Sequence, residues 1–142
     1  MASDGRREVA VDIHATPEQV WQAITDPTLT RRYFYGTDII SDWTVGARWT
    51  SESSGHVSLE GEIVVVDPPR RLVQTFHVAD DDPAAGDAPS SVMWELEPTT
   101  DGTRLRLVHE DQGAATMAYT EGGWEHILDG LKNVVESDAT RG

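Results

Sequence analysis

The sequence predicts an α+β fold in which a curved antiparallel sheet of about six to seven strands wraps a long C-terminal helix, with two short helices after the first strand. Three observations carry this prediction. Residues 8–14 alternate apolar and polar, the period of a half-buried strand. Between residues 37 and 110, runs of strand-forming residues are separated by turn-forming ones. From Trp124 onward, apolar residues recur at helical spacing.

In the first strand Val9, Val11 and Ile13 point one way, and Glu8, Ala10, Asp12 and His14 the other. Thr16-Pro17-Glu18-Gln19 then reads as a helix start, with Thr16 as cap, Pro17 at the first helical position and Gln19 completing a capping box. Val20, Trp21 and Ile24 share one face of that helix. Asp26-Pro27 repeats the signal, and a second short helix is expected through Leu29 and Tyr33, ending at Gly36. Strands are expected at 37–42, 46–53, 56–66, 71–79, 90–97 and 103–110. The acidic segment 80–89, DDDPAAGDAP, is expected to be a mobile loop. The terminal helix is expected to start between 113 and 118 and to end near Glu136. Its apolar face is Trp124, Ile127, Leu128, Leu131, Val134 and Val135, and Lys132 and Glu136 stand at ion-pair spacing on the other side. Gly122 and Gly123 would cost this helix about 1 kcal/mol each against alanine. The preferred reading is that they allow close approach of helix to sheet.

A length of 142 residues fits one domain, with a core spanning about 8–136. The absence of cysteine excludes disulfides, thiolate catalysis and Cys-based metal sites. Eleven basic residues against 25 acidic ones leave a formal charge of −14, which argues against nucleic acid and against anionic membrane surfaces. No apolar run approaches the ~20 residues that span a bilayer, so no membrane insertion is expected. The N-terminal residues lack the apolar stretch of a secretory signal, and the expected location is cytoplasmic.

Several motifs carry a resemblance. They are TPEQVW at 16–21 followed by Thr25-Asp26-Pro27, Val45-Gly46, GEIVVVDPPRRL at 61–72, GTRLRL at 102–107, and GGWEHILDGL at 122–131. With these the chain resembles the START-like, or SRPBCC, helix-grip superfamily. Within it, the chain is most similar to the bacterial branch related to the C-terminal domain of activators of heat-shock protein 90 ATPase. The resemblance implies a helix-grip fold. Its superfamily hosts ligand carriers, enzymes and regulators on one scaffold, so the fold alone does not choose among them.

Strand alternation turns Trp49, Gln74, Phe76, Trp94 and His109 toward the long helix, whose stripe turns Trp124 and Leu128 toward the sheet. An apolar enclosure with a few inward polar groups suits a small molecule. The first functional reading is therefore a binding domain for a small hydrophobic or aromatic ligand, lined by these seven residues, with Gln74 and His109 as its polar contacts. Tyr33, Phe34 and Tyr35 form an aromatic cluster placed to close a pocket mouth. An alternative is an interaction or regulatory module with a vestigial cavity, in which outward Val64, Val66, Val73, Met93 and Val108 form a contact patch for a homodimer. A second alternative is a cyclase- or lyase-like enzyme on a ring compound, with His109 and Glu62 or Glu95 as its acid–base set. Both glutamates alternate with apolar residues toward solvent, which favours a non-enzymatic role, and no catalytic residue is assigned. The five histidines show no metal-binding spacing, so neither metal nor cofactor is expected.

Overall fold

Thr16 caps the first helix as its motif requires. Its hydroxyl accepts from the Gln19 backbone N–H at 3.1 Å, and the Gln19 side chain accepts from the Thr16 N–H at 2.9 Å. The computed structural model describes residues 5–141, with side chains up to Asp138. The elements run β1 (Arg7–Ile13), α1 (Pro17–Thr25), α2 (Pro27–Thr30), β2 (Asp38–Ser41), β3 (Arg48–Ser53), β4 (His56–Asp67), β5 (Arg71–Val78), β6 (Ser90–Thr99), β7 (Gly102–Glu110), α3 (Ala114–Tyr119) and α4 (Gly123–Arg141). The strands form one seven-stranded sheet, ordered β1-β7-β6-β5-β4-β3-β2, with every pairing antiparallel. Between β5 and β6 the acidic segment makes a short 3₁₀ turn, Pro83–Gly86.

The inward faces follow the alternation. Leu72, Gln74, Phe76 and Val78 of β5 are buried, as are Val92, Trp94 and Leu96 of β6 and Leu105, Leu107 and His109 of β7. All six apolar residues of the α4 stripe are buried against them. The other side of α4 is tied to β1: Lys132 Nζ donates to the Asp12 carbonyl at 2.8 Å and to Glu136 at 2.6 Å, and Glu136 accepts from the His14 N–H at 2.8 Å. Among the described residues no helix is long and apolar enough to cross a membrane.

Four expectations need correction. The second helix, α2, stops at Thr30 instead of running through Tyr33 to Gly36, because the chain leaves it in successive turns over residues 31–36. The terminal helix is two helices, because the chain turns at Thr120–Gly122, and the second extends past Glu136 to Arg141. Gly122 adopts φ 74°, and a Cβ placed there would meet no atom. The glycine is needed for its left-handed backbone and not for close approach. The outward patch is also smaller than alternation implied. A bulge between Ile63 and Val65 changes the parity of β4, so Val66 pairs with Leu72 and packs against the core. Val108 is covered as well, whereas Val64 is exposed.

Candidate functional site

The structure brings six of the seven expected lining residues into one aromatic layer between sheet and α4. Trp94 and Trp124 meet edge to face with ring centroids 5.8 Å apart at 90°. Phe76 lies 6.0 Å from Trp124 and 4.6 Å from His109, and Trp49 lies 6.2 Å from Phe76. These are the separations of packed aromatic pairs. The void among them has a volume of about 10 Å³, room for no more than about one water. His109 and Leu128 are both fully buried, and neither lines it.

The two inward polar groups are already engaged. Trp94 Nε1 donates to Gln74 Oε1 at 2.8 Å. Trp124 Nε1 donates to His109 Nδ1 at 3.0 Å, which assigns the ring proton to Nε2, 2.7 Å from Ser90 Oγ. The Ser90 hydroxyl in turn reaches the Phe76 carbonyl at 3.2 Å. Burial, with a smaller effect from Arg7, pushes the His109 pKa down to about 3, so the ring is neutral. Neither glutamate considered as an acid–base partner takes part: Glu62 is exposed, and Glu95 pairs with Arg106 at 2.8 Å. Trp49 Nε1 donates to the Thr75 carbonyl at 2.7 Å, crossing the backbone at Gly61, where any Cβ would collide with both groups.

A ligand-sized space lies beside this layer. A half-open cleft of about 440 Å³ is bounded by β3, β4, the chain after α2, and the α3–α4 turn. Phe34, Phe76 and Trp124 belong to both spaces, so the edge of the packed layer forms the cleft wall. Tyr35 and Tyr119 stand at its rim, and Ile127 continues the wall along α4. Tyr35 holds φ 54°, uncommon for a bulky residue, and stacks on His126 at 4.9 Å. Tyr33, the third member of the predicted mouth cluster, is buried with its hydroxyl donating to the Ala23 carbonyl at 2.7 Å. Ser51, Ser53 and Ser58 supply uncharged polar groups from the sheet, and His56 Nε2 and Asp80 Oδ1 are hydrogen-bonded at 2.8 Å on the rim. Tyr119, Ser58, His56 and Asp80 escaped the sequence reading. One signal was present: along β3 the inward side runs Trp49, Ser51, Ser53, and the change from large to small leaves room.

The α3–α4 turn is held from several sides. Asp87 accepts from the Thr116 N–H at 2.8 Å and from its hydroxyl at 2.9 Å. Arg7 donates to the Met117 carbonyl at 2.7 Å, and the Thr120 hydroxyl to Gln112 at 2.6 Å. Among the described residues no group of three or more His, Asp or Glu is placed to hold a metal.

Residues 14–136 match the family described as activator of Hsp90 ATPase homolog 1-like protein. The chain belongs to this family. Among solved structures, a Mesorhizobium loti protein is 28% identical, with a TM-score of 0.78 over 93% of this chain and 97% of its own. An Hsp90 activator from Plasmodium falciparum is 22% identical, with a TM-score of 0.74 over 92% and 95% of the two chains. CalU16 from Micromonospora echinospora is 26% identical, with a TM-score of 0.70 over 96% and 76%. The 22% likeness speaks to the fold alone. A search of the curated proteins finds no match. Membership of the family accounts for the sheet wrapped on α4; it does not select a ligand, a reaction or a partner.

Proposed function

We propose that this chain binds a small hydrophobic or aromatic ligand in the cleft between the β3–β4 hairpin and the start of α4. The observation that carries the reading is a volume of about 440 Å³ walled by Phe34, Phe76 and Trp124, within the ~300–1,000 Å³ that small-molecule sites occupy. The packed layer behind it supplies a rigid wall, and the strand serines supply hydrogen bonds that orient a ligand. We read the role as binding rather than catalysis: His109 is neutral and hydrogen-bonded on both ring nitrogens, to Ser90 and Trp124.

The test is a titration with the neutral dye N-phenylnaphthylamine, whose emission rises in apolar surroundings. One dye per chain is expected, with blue-shifted emission and a raised melting temperature. At a hundred times its dissociation constant a ligand stabilises the native state by about 2.7 kcal/mol. Ser58→Trp places a large side chain in the cleft and should abolish binding. Binding unchanged in that variant would refute the site. Native mass spectrometry of the purified chain, searching for retained small molecules, addresses the natural ligand. The filled inner void, about 10 Å³, favours a second reading: an interaction module with a vestigial cavity, as a homodimer or with a protein partner. That reading gains if no dye enters the cleft.

A further inference from the structure

Resting on that reading of the cleft as a ligand site, we propose that it selects an organic cation, an apolar or aromatic body carrying a protonated amine, over a carboxylate of the same size. The charges around the cleft point this way. Among the described residues its lining includes Asp80 and Glu121 and neither Lys nor Arg. The one basic side chain at its wall, His56, is already paired with Asp80 at 2.8 Å. An entering carboxylate would lose water without gaining a free cationic partner, which is costly in any partly dry site. It would also approach a chain of formal charge −14.

A cation meets the opposite conditions. The rings of Tyr35, Tyr119 and Trp124 border the space, and an ammonium within about 6 Å of a ring face is attracted by it. The carboxylates supply the complementary charge. The His56 ring holds the Asp80 carboxyl below its ordinary range, so it is ionised near neutral pH. Burial, then Asp80 and Asp82, raise the Tyr119 hydroxyl above its ordinary range, which keeps it protonated and places two carboxylates within electrostatic reach of that wall. The serine hydroxyls of β3 and β4 are neutral and accept equally from an ammonium or a hydroxyl.

Three compounds sharing one naphthalene body test this by displacing N-phenylnaphthylamine: naphthylethylamine, a cation at neutral pH; naphthylethanol, neutral; and naphthylacetate, an anion. In low salt the amine should bind about tenfold more tightly than the alcohol, and the acetate at least about tenfold more weakly than the alcohol. The amine's advantage should shrink several-fold in about 0.5 M sodium chloride, because exposed charges are screened. Asp80→Asn combined with Glu121→Gln should bring the amine to the alcohol's affinity while the alcohol keeps its own. The salt titration reads the same attraction in the unaltered chain, so the result does not depend on how the variant folds. An acetate that binds as tightly as the amine, or an amine preference untouched by salt and by both substitutions, overturns the charge selection while leaving the cleft a ligand site. Failure of the dye and of all three compounds overturns both.

Discussion

The inner aromatic layer and the outer cleft share Phe34, Phe76 and Trp124 and yet are opposite in kind. In the layer the indole N–H groups of three tryptophans have acceptors: Gln74 for Trp94, His109 for Trp124 and the Thr75 carbonyl for Trp49. The space that remains is about 10 Å³. In the cleft, a few ångströms outward, the inward side chains become serines, the terminal helix turns aside at Gly122, and about 440 Å³ opens. A row of inward aromatics does not by itself make a cavity. Where large rings face partners of matching shape and polarity they close on one another, and space appears where the residues turn small or the backbone turns away.

The largest effect is expected on the packed side. Trp94→Ala should destabilise the chain by about 3–5 kcal/mol in denaturant melts, since it empties a filled site and strands the Gln74 amide. Ser58→Ala at the cleft should change stability by no more than about 0.5 kcal/mol. Similar costs at both positions would mean that the cleft is as packed as the layer.

Acid tests the same side. His109 has its pKa pushed down to about 3 in the folded chain, whereas an unfolded histidine titrates near 6.5. Between these values the unfolded state binds the extra proton. Stability from this group is therefore complete above about pH 6.5 and declines as pH falls, by up to about 1.4 kcal/mol per unit. Urea melts from pH 7 to pH 5 should show the decline, and His109→Gln should flatten it over that interval. An unchanged slope in the variant would mean that the buried ring does not govern it.

A smaller effect is expected where the cleft begins. At φ 74° Gly122 has open space around it, so Gly122→Ala should cost about 1–2 kcal/mol through backbone conformation alone. The loss should be accompanied by faster amide exchange in α3. A neutral or stabilising substitution would show that the turn readily gives up its left-handed residue.

Much of this architecture was legible in the residues. Thr16 to Gln19 spelled the capping box that forms, the period of two in β5 and β6 identified the buried set, and the stripe from Trp124 to Val135 identified the helix face. These are local patterns, set by backbone geometry. The bulge that turns Val66 inward was hidden because a single extra residue leaves composition unchanged while reversing every later side chain. Gly122 was visible, but whether a glycine serves space or conformation depends on the atoms around it. At the site, alternation correctly turned Gln74 and His109 inward. That Trp94 and Trp124 would take up their hydrogen bonds is a tertiary pairing across 20 and 15 residues of chain. The cleft rim joins His56 to Asp80 and Tyr119 from separate elements, which no spacing rule connects.

Ligand-sized space lies in the cleft and not within the aromatic layer. Backbone amide NMR shifts recorded during a titration with N-phenylnaphthylamine test this most directly. Saturable shifts are expected at Ser51, Ser58, Tyr119 and Gly123, with Val92 and Leu105 left in place. Shifts centred on Val92, Trp94 and Leu105, with the cleft amides unmoved, would contradict it.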